Sequence, residues 1–312
     1  MFAFISLTTR MATNGYITRL ISASLRIICL LIPLAILPIP STYGQNKHAL
    51  VVGISDYPSI TQWNKIHGEN DAELIANVLS SQGFSVVKMC NKKATAKNVR
   101  KELSQLCNKS KPGDYIYIHF SCHGQPVEDV DGDESDGWDE SVALYDAQMT
   151  YVKDTYEGEN HITDDELHTF IQMMRKAVGA NGFVCVVIDA CHAGNSSRGE
   201  DDDIYVRGTK KAFSPSGKVY RPRITSQGNF YIKTTYGQSP IVILEACRSY
   251  QSNYEIQQDG DYYGPLSYYV SQTISKLGVT PNIEWIMAIK QSMDADPRLS
   301  RQNMVFETSI TQ

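Results

Sequence analysis

"FVCVVIDACHAG" spans residues 183–194, and an apolar run from Phe183 to Ile188 halts there at Asp189. Cys191 and His192 follow directly, with Gly194 behind them. Continuous runs rich in Val and Ile mark strands buried on both faces, the habit of parallel sheets. Open parallel sheets gather ligands and catalytic groups just past the carboxyl ends of their strands. The Cys191 thiol therefore has three roles open to it: packing, metal ligation, or nucleophilic attack at the rim of a sheet.

Working outward, four further runs look alike: "HALVVGI" (48–54), "FSVVKMC" (84–90), "DYIYIHFS" (114–121) and "PIVILEAC" (240–247). A shorter run, "SVALYD" (141–146), is a candidate extra strand. Helical patterns alternate with them over 69–83, 95–107, 163–179, 264–278 and 282–293. The third begins Thr163-x-x-Glu166, a capping box, and closes at Gly179. Strand–helix alternation with right-handed crossovers predicts an α/β fold, with a mostly parallel central sheet and helices on both faces. Two stretches break the rhythm: an acidic one over 124–160 and a basic, Gly/Ser/Pro-bearing one over 195–239. Long irregular segments inside a compact domain are usually functional or mobile.

The N-terminus reads differently. Arg19 and Arg26 precede an apolar run from Ile27 to Ile39, and Thr42-Tyr43-Gly44 offers small residues before Gln45. This pattern is that of a secretory signal peptide over residues 1–44, too short and too rich in proline for a membrane span. The expected location is therefore periplasmic or extracellular, without stable membrane insertion after signal cleavage. The 312 residues carry a formal net charge of −5, which offers no field favouring nucleic acid. Cys90, Cys107, Cys122, Cys185, Cys191 and Cys247 follow the signal. Cys185 and Cys247 sit inside apolar runs, which argues for small buried hydrophobes rather than a disulfide framework.

A second strand end sharpens the first. "IYIHFSCHG" (116–124) places His123 and Gly124 just past its run. If the two strands are neighbours, imidazole and thiol face one crevice. The imidazole raises the thiolate fraction and can later protonate a leaving amine. Backbone N–H groups complete the site by stabilising the oxyanion, and Gly124 lets a carbonyl approach closely. A metal site from His123, Cys191 and His192 would require adjacent residues to bend toward one ion.

"HFSCHG" followed by "IDACHAG", each closing a strand, resembles the caspase-like cysteine peptidases, and bacterial metacaspases (orthocaspases) most closely. "HALVVGISDYP…IHGENDAELIANVLSSQGF" is similar to that family's first strand and helix, and "ILEACRSYQSNYEIQQDGDYYGPLSYYV" to its small-subunit region. The resemblance implies one peptidase domain over 45–312: a large-subunit-like part about 45–197, a basic loop about 195–239 and a small-subunit-like part about 240–312. It implies His123 as general acid/base, Cys191 as nucleophile, and the N–H groups of Gly124 and Cys191 as oxyanion hole. The family usually has Gly where Cys122 stands, and that thiol is either packing or a site of oxidation.

Asp189 lies two residues before Cys191, so both side chains should point to one side of the strand. A carboxylate there suits a cationic substrate side chain. The resemblance adds Asp71 and Ser121 as further pocket residues. Protein or peptide substrates with Arg or Lys at the cleaved position are therefore expected, and Asp is disfavoured. The same resemblance makes Asp139, Asp164 and Asp165 candidate calcium ligands near the acidic "DVDGDESDGWDE" (129–140), although the chemistry itself requires no cofactor. The loop after Cys191 holds Arg198, Arg207, Lys210, Lys211, Lys218, Arg221 and Arg223, so the enzyme could cut itself there. The leading expectation is a secreted cysteine endopeptidase. A non-catalytic binding module of the same fold and a metal-dependent hydrolase are the alternatives.

Overall fold

The computed structural model describes residues 45–310 apart from 133, 135, 193–203 and 223–228. The signal-peptide reading of residues 1–44, and Asp133, Arg198, Glu200, Asp201, Asp202, Asp203 and Arg223, lie outside the described residues. In chain order the elements are β1 (Lys47–Gly53), α1 (Gly68–Ser81), β2 (Ser85–Cys90), α2 (Ala96–Lys109), β3 (Tyr115–Ser121) and β4 (His123–Glu128). Then come β5 (Trp138–Ala143), β6 (His161–Thr163), α3 (Asp164–Val178), β7 (Phe183–Asp189), β8 (Phe230–Tyr231) and β9 (Ile241–Glu245). The chain closes with β10 (Ile256–Gln258), β11 (Asp261–Tyr263), α4 (Pro265–Leu277), α5 (Glu284–Ala295) and β12 (Val305–Thr308).

The five long apolar runs all become strands of one sheet, ordered β2-β1-β3-β7-β9-β12-β8. β2, β1, β3, β7 and β9 are parallel, and β12 joins β9 antiparallel. Because side chains alternate along a strand, one run of residues serves two cores. Ala49, Val51, Tyr117, Cys185 and Val187 pack against α1, α4 and α5 through residues such as Ile75, Val270 and Ile289. Leu50, Val52, Ile116, Ile118, Val184 and Val186 pack the other way, against Val99 and Leu103 of α2 and Leu167 and Ile171 of α3. Helices thus cover both faces, as the strand pattern requires.

Two local expectations change. The run at 141–146 forms no strand of the main sheet; β5 pairs antiparallel with β4 and β6 in a separate three-stranded sheet. β4 leaves the main sheet immediately after β3 and needs a partner of its own. The capping box of α3 is only half made. Thr163 Oγ1 accepts from the Glu166 N–H at 3.3 Å, but the Glu166 carboxylate turns to Arg100, at 2.7 and 2.8 Å. A bidentate charge-assisted pair outcompetes one bond to a backbone N–H. Among the described residues, no helix is long and apolar enough to cross a membrane.

The seat of α1 positions the site. A Cβ on Gly53 would lie 2.2 Å from the Gly68 carbonyl oxygen and 2.5 Å from Ala72 Cβ. One on Gly68 would lie 2.3 Å from the Ser121 carbonyl oxygen. Two glycines therefore let the first turn of α1 rest on the carboxyl ends of β1 and β3, and Asp71 in that turn comes over the edge of the sheet. Gly53→Ala should force helix and strand apart and cost about 1–3 kcal/mol. Denaturant unfolding measures it, and a loss within about 0.5 kcal/mol, the range of an ordinary surface change, would contradict this packing.

Candidate active site

β3 and β7 are hydrogen-bonded neighbours, with Ser121 paired to Asp189. Two residues further along each chain stand His123 and Cys191, so the register alone brings imidazole and thiol to one edge. His123 Nε2 lies 2.8 Å from the Asn64 carbonyl oxygen, which can only accept. The proton is therefore on Nε2, and Nδ1 keeps its lone pair; Nδ1 has no hydrogen-bond partner among the described residues. The ring is stacked on Trp63 at 4.8 Å, and its own backbone N–H donates to the Tyr57 hydroxyl at 3.1 Å. Burial pushes the His123 imidazole down to about 4, with the Asn64 carbonyl opposing and the Arg207 charge assisting. Cys191 Sγ donates to the Gln251 carbonyl at 3.0 Å.

Residues 204–213 of the basic segment pass along this edge in isolated bridges, with Gly208 beside both Gly124 and Cys191 and Val206 beside Tyr254. The Arg207 carbonyl oxygen accepts from the Gly124 N–H at 3.1 Å and the Cys191 N–H at 3.0 Å. These are the two donors expected to form an oxyanion hole. Before that carbonyl, Arg207 N–H donates to the Asn253 carbonyl at 3.0 Å and Glu255 N–H to the Tyr205 carbonyl at 3.0 Å. After it, Thr209 N–H donates to the Gly124 carbonyl at 3.3 Å and Phe213 N–H to the Pro126 carbonyl at 2.9 Å. A Cβ on Gly208 would lie 1.7 Å from the Cys191 carbonyl oxygen, so only glycine fits after Arg207 in this path.

The Arg207 side chain is wholly buried, at 0% exposure. One guanidinium nitrogen, Nη2, meets Asp71 at 2.6 Å and Glu255 at 2.8 Å. The other, Nη1, donates to Ser121 Oγ at 2.5 Å and lies 3.9 Å from Asp189 Oδ1. The expected pocket residues Asp71, Ser121 and Asp189 thus converge on one cation. Asp189 faces it less directly than its place on the strand implied. Its oxygens are taken by Asn253 Nδ2 at 2.7 Å and by the N–H and hydroxyl of Ser267 at 2.7 Å each. Burial raises the Asp71 carboxyl to about 7 against the pull of Arg207. Burial also works on Glu255, but Arg207 and the two bonds from His67 hold that carboxyl below its ordinary range.

Sequence reasoning named neither Glu255 nor His67. Arg207 is one of eight Lys and Arg residues between 195 and 239, and the sequence does not set it apart. Of the other described ones, Lys211 reaches Thr150 Oγ1 at 2.6 Å and Lys218 pairs with Glu128 at 2.8 Å, both away from the pocket. Cys122 is packing: it lies in the core beneath α2 and α3, and burial pushes its thiol up to about 12. His192 turns aside, with Nε2 on the Ser141 carbonyl at 3.1 Å and Nδ1 at 3.3 Å from Glu140.

Two of the candidate calcium ligands, Asp164 and Asp165, line an acidic crevice of about 460 Å³ together with Glu140, Glu245 and Glu307. Burial raises Asp164 to about 8, with Glu140, Asp139 and Asp165 adding repulsion. Among the described residues, no group of three or more His, Cys, Asp or Glu side chains is arranged to hold an ion. Asp139, Asp164 and Asp165 therefore share a neighbourhood without forming a ready coordination sphere.

Residues 46–302 match the family model described as caspase domain. Metacaspase-1 of Eremothecium gossypii is 29% identical over 161 residues, covering 48% of this chain and 32% of that protein. Metacaspase-1B of Aspergillus terreus is 23% identical over 228 residues, covering 64% of this chain and 57% of that protein. The chain thus spans less than two thirds of either relative. Both of these relatives are fungal. Among solved structures, a protein from Geobacter sulfurreducens aligns with a TM-score of 0.57 and 21% identity, over 86% of this chain and 94% of that one. Caspase-1 from Spodoptera frugiperda aligns with a TM-score of 0.52 and 12% identity, over 84% and 88%. At these identities the structural likeness is one of fold.

The His123 environment has a measurable consequence. Burial disfavours the imidazolium, so the ring should stay neutral as pH falls and protonate only near 4. Nitrogen chemical shifts of His123 in a Cys191→Ala chain should titrate there, with Nε2 carrying the proton throughout. A midpoint at or above 6.5 would contradict the buried setting.

Proposed function

The chain belongs to the caspase domain family, and from that premise we propose that it is a cysteine endopeptidase that cleaves after arginine or lysine and takes its own Arg207–Gly208 bond as first substrate. One observation carries the reading: Arg207 lies among acids with its carbonyl oxygen on two N–H donors at 3.0 and 3.1 Å.

The chemistry follows from the groups present. The Cys191 thiol gives its proton to His123 Nδ1, and the sulfur attacks the Arg207 carbonyl carbon. The oxygen that gains charge already faces the N–H groups of Gly124 and Cys191, so stabilisation needs no reorganisation. The imidazolium keeps its Nε2–H on the Asn64 carbonyl and returns the other proton to the Gly208 nitrogen as the C–N bond breaks. Arg207 is then a thioester on Cys191. Water, deprotonated by His123, releases it as a carboxylate and restores the thiol.

Specificity follows from charge. Asp71 and Glu255 take the guanidinium directly, Ser121 Oγ accepts a further bond, and Asp189 adds negative potential from behind. An ammonium fits the same field, whereas a carboxylate would be repelled. After self-cleavage the pocket becomes available to protein or peptide substrates of the same kind. The export signal read in residues 1–44 belongs to the same proposal and sets this activity in the periplasm or outside the cell.

Purified wild-type protein should accumulate two fragments, one ending at Arg207 and one beginning at Gly208. Arg207→Ala should remain whole at this bond, and Cys191→Ala should remain whole throughout. Mass spectrometry reads each result, and cleavage in Cys191→Ala would overturn the nucleophile assignment. On peptides ending in Arg, Glu255→Gln should lower kcat/KM roughly ten- to a hundredfold, the value of a charged hydrogen bond lost in a pocket. An unchanged kcat/KM would remove Glu255 from the recognition of the cation.

A further inference from the structure

Catalysis as proposed uses one thiol, yet a second stands against it. Cys247 follows β9, the parallel neighbour of β7, with Ile188 paired to Glu245 and the Ala246 N–H on the Ile188 carbonyl at 3.1 Å. Continued past the strand ends, that register sets Cys247 beside Ala190, one residue before Cys191, and neighbouring strands lie about 4.8 Å apart. Both sulfurs converge on one acceptor: Cys191 Sγ lies 3.0 Å and Cys247 Sγ 3.5 Å from the Gln251 carbonyl oxygen. The Cys247 thiol also hydrogen-bonds the Cys191 sulfur, and that bond, with burial, holds its pKa well above the ordinary range. The two share a small apolar cluster with Tyr220.

We propose that Cys191 and Cys247 are a reversible redox pair, joined by a disulfide under peroxide and reopened by a dithiol. The Cys191 thiolate attacks one oxygen of hydrogen peroxide, giving a sulfenic acid and hydroxide. The Cys247 sulfur then attacks the sulfenic sulfur, an S–S bond forms, and the sulfenic oxygen leaves as water with the Cys247 proton. Two thiols and one peroxide thus yield one disulfide and two waters. A dithiol reverses this by exchange and carries away the two electrons. A resolving thiol at this distance intercepts the sulfenic acid before further peroxide converts it irreversibly to sulfinic acid. The effect on peptidase activity rests on the reading of Cys191 as nucleophile; the disulfide itself does not.

The test exposes the purified chain, as wild type and as Cys247→Ala, to hydrogen peroxide and then to dithiothreitol. Each protein is compared with its own untreated activity, and each is peptide-mapped without reduction. Wild type should yield a Cys191 peptide joined to a Cys247 peptide, lighter by two hydrogen atoms, and should regain most of its activity. Cys247→Ala should accumulate sulfinic acid at Cys191 and regain roughly tenfold less. Wild-type Cys191 recovered as sulfinic acid, or joined to another cysteine, would overturn the pair, as would equal recovery in both proteins. If the chain shows no peptidase activity at all, the nucleophile reading fails, and the joined peptide pair alone decides the redox inference.

Discussion

The pairing of β3 with β7, Ser121 opposite Asp189, is the contact on which the site depends. Side chains alternate along a strand, so a slip of one residue would turn every group to the other face. In the register observed, Ser121 and Asp189 reach the pocket, and His123 and Cys191 reach the rim two residues later. Nothing local holds that register. It is set by two cores, one on each face, whose apolar residues alternate along the same strands. Asp71 joins from a helix, and arrives only because Gly53 and Gly68 let α1 sit on the strand ends.

A buried guanidinium among carboxylates is a costly arrangement. Taking each ion out of water costs several kcal/mol, and mutual attraction repays it only where geometry is good. The pocket meets that condition. Asp71 accepts from Ser121 Oγ at 2.6 Å and from the Gly264 N–H at 3.0 Å, while Glu255 accepts from His67. Three acids face one Arg207, and burial, which raises Asp71, is opposed there by the Arg207 charge. The charge balance is therefore set for a cation in place. With the cation gone, the same acids must take up water or protons.

Much of this was legible in the sequence, and the failures have physical causes. The strands were legible because a strand buried on both faces needs an unbroken apolar run, as in residues 183–188. Cys191 and His123 were legible because polar residues closing such runs stand out. The separate sheet containing β5 was not, because the run at 141–146 does not say which partner it has. Glu255 lies in the polar stretch "YQSNYEIQQ" (250–258) that runs into β10, where an acid does not stand out in charge or spacing; only the fold carries it to Arg207. Arg207 was one basic residue among several until the path of its backbone distinguished it. The half-made capping box fails for a similar reason, since Arg100 lies 66 residues from Glu166.

The path of the segment around Arg207 also determines what a cut there would leave behind. On the near side of the bond, residues 205–207 are held by backbone pairing with 253–255 and by the guanidinium. On the far side, Phe213 is buried against Tyr156 and His161, and Glu128 accepts from the hydroxyls of Ser214 and Ser216 at 2.6 and 2.7 Å. Hydrolysis of one peptide bond removes none of these contacts. It also leaves the main sheet intact, because β7 and β9, which lie on opposite sides of the bond in the chain, are paired directly. The core beneath α1, α4 and α5 crosses the same divide, with Ile75 from one part and Val270 and Ile289 from the other. Burying a side chain of that size contributes roughly 1.5–3 kcal/mol, and such contacts recur along the whole face of the sheet. The hydrophobic surface shared between the parts is therefore what would keep a cut chain together, while the covalent link between them is confined to a segment that contributes little to that core.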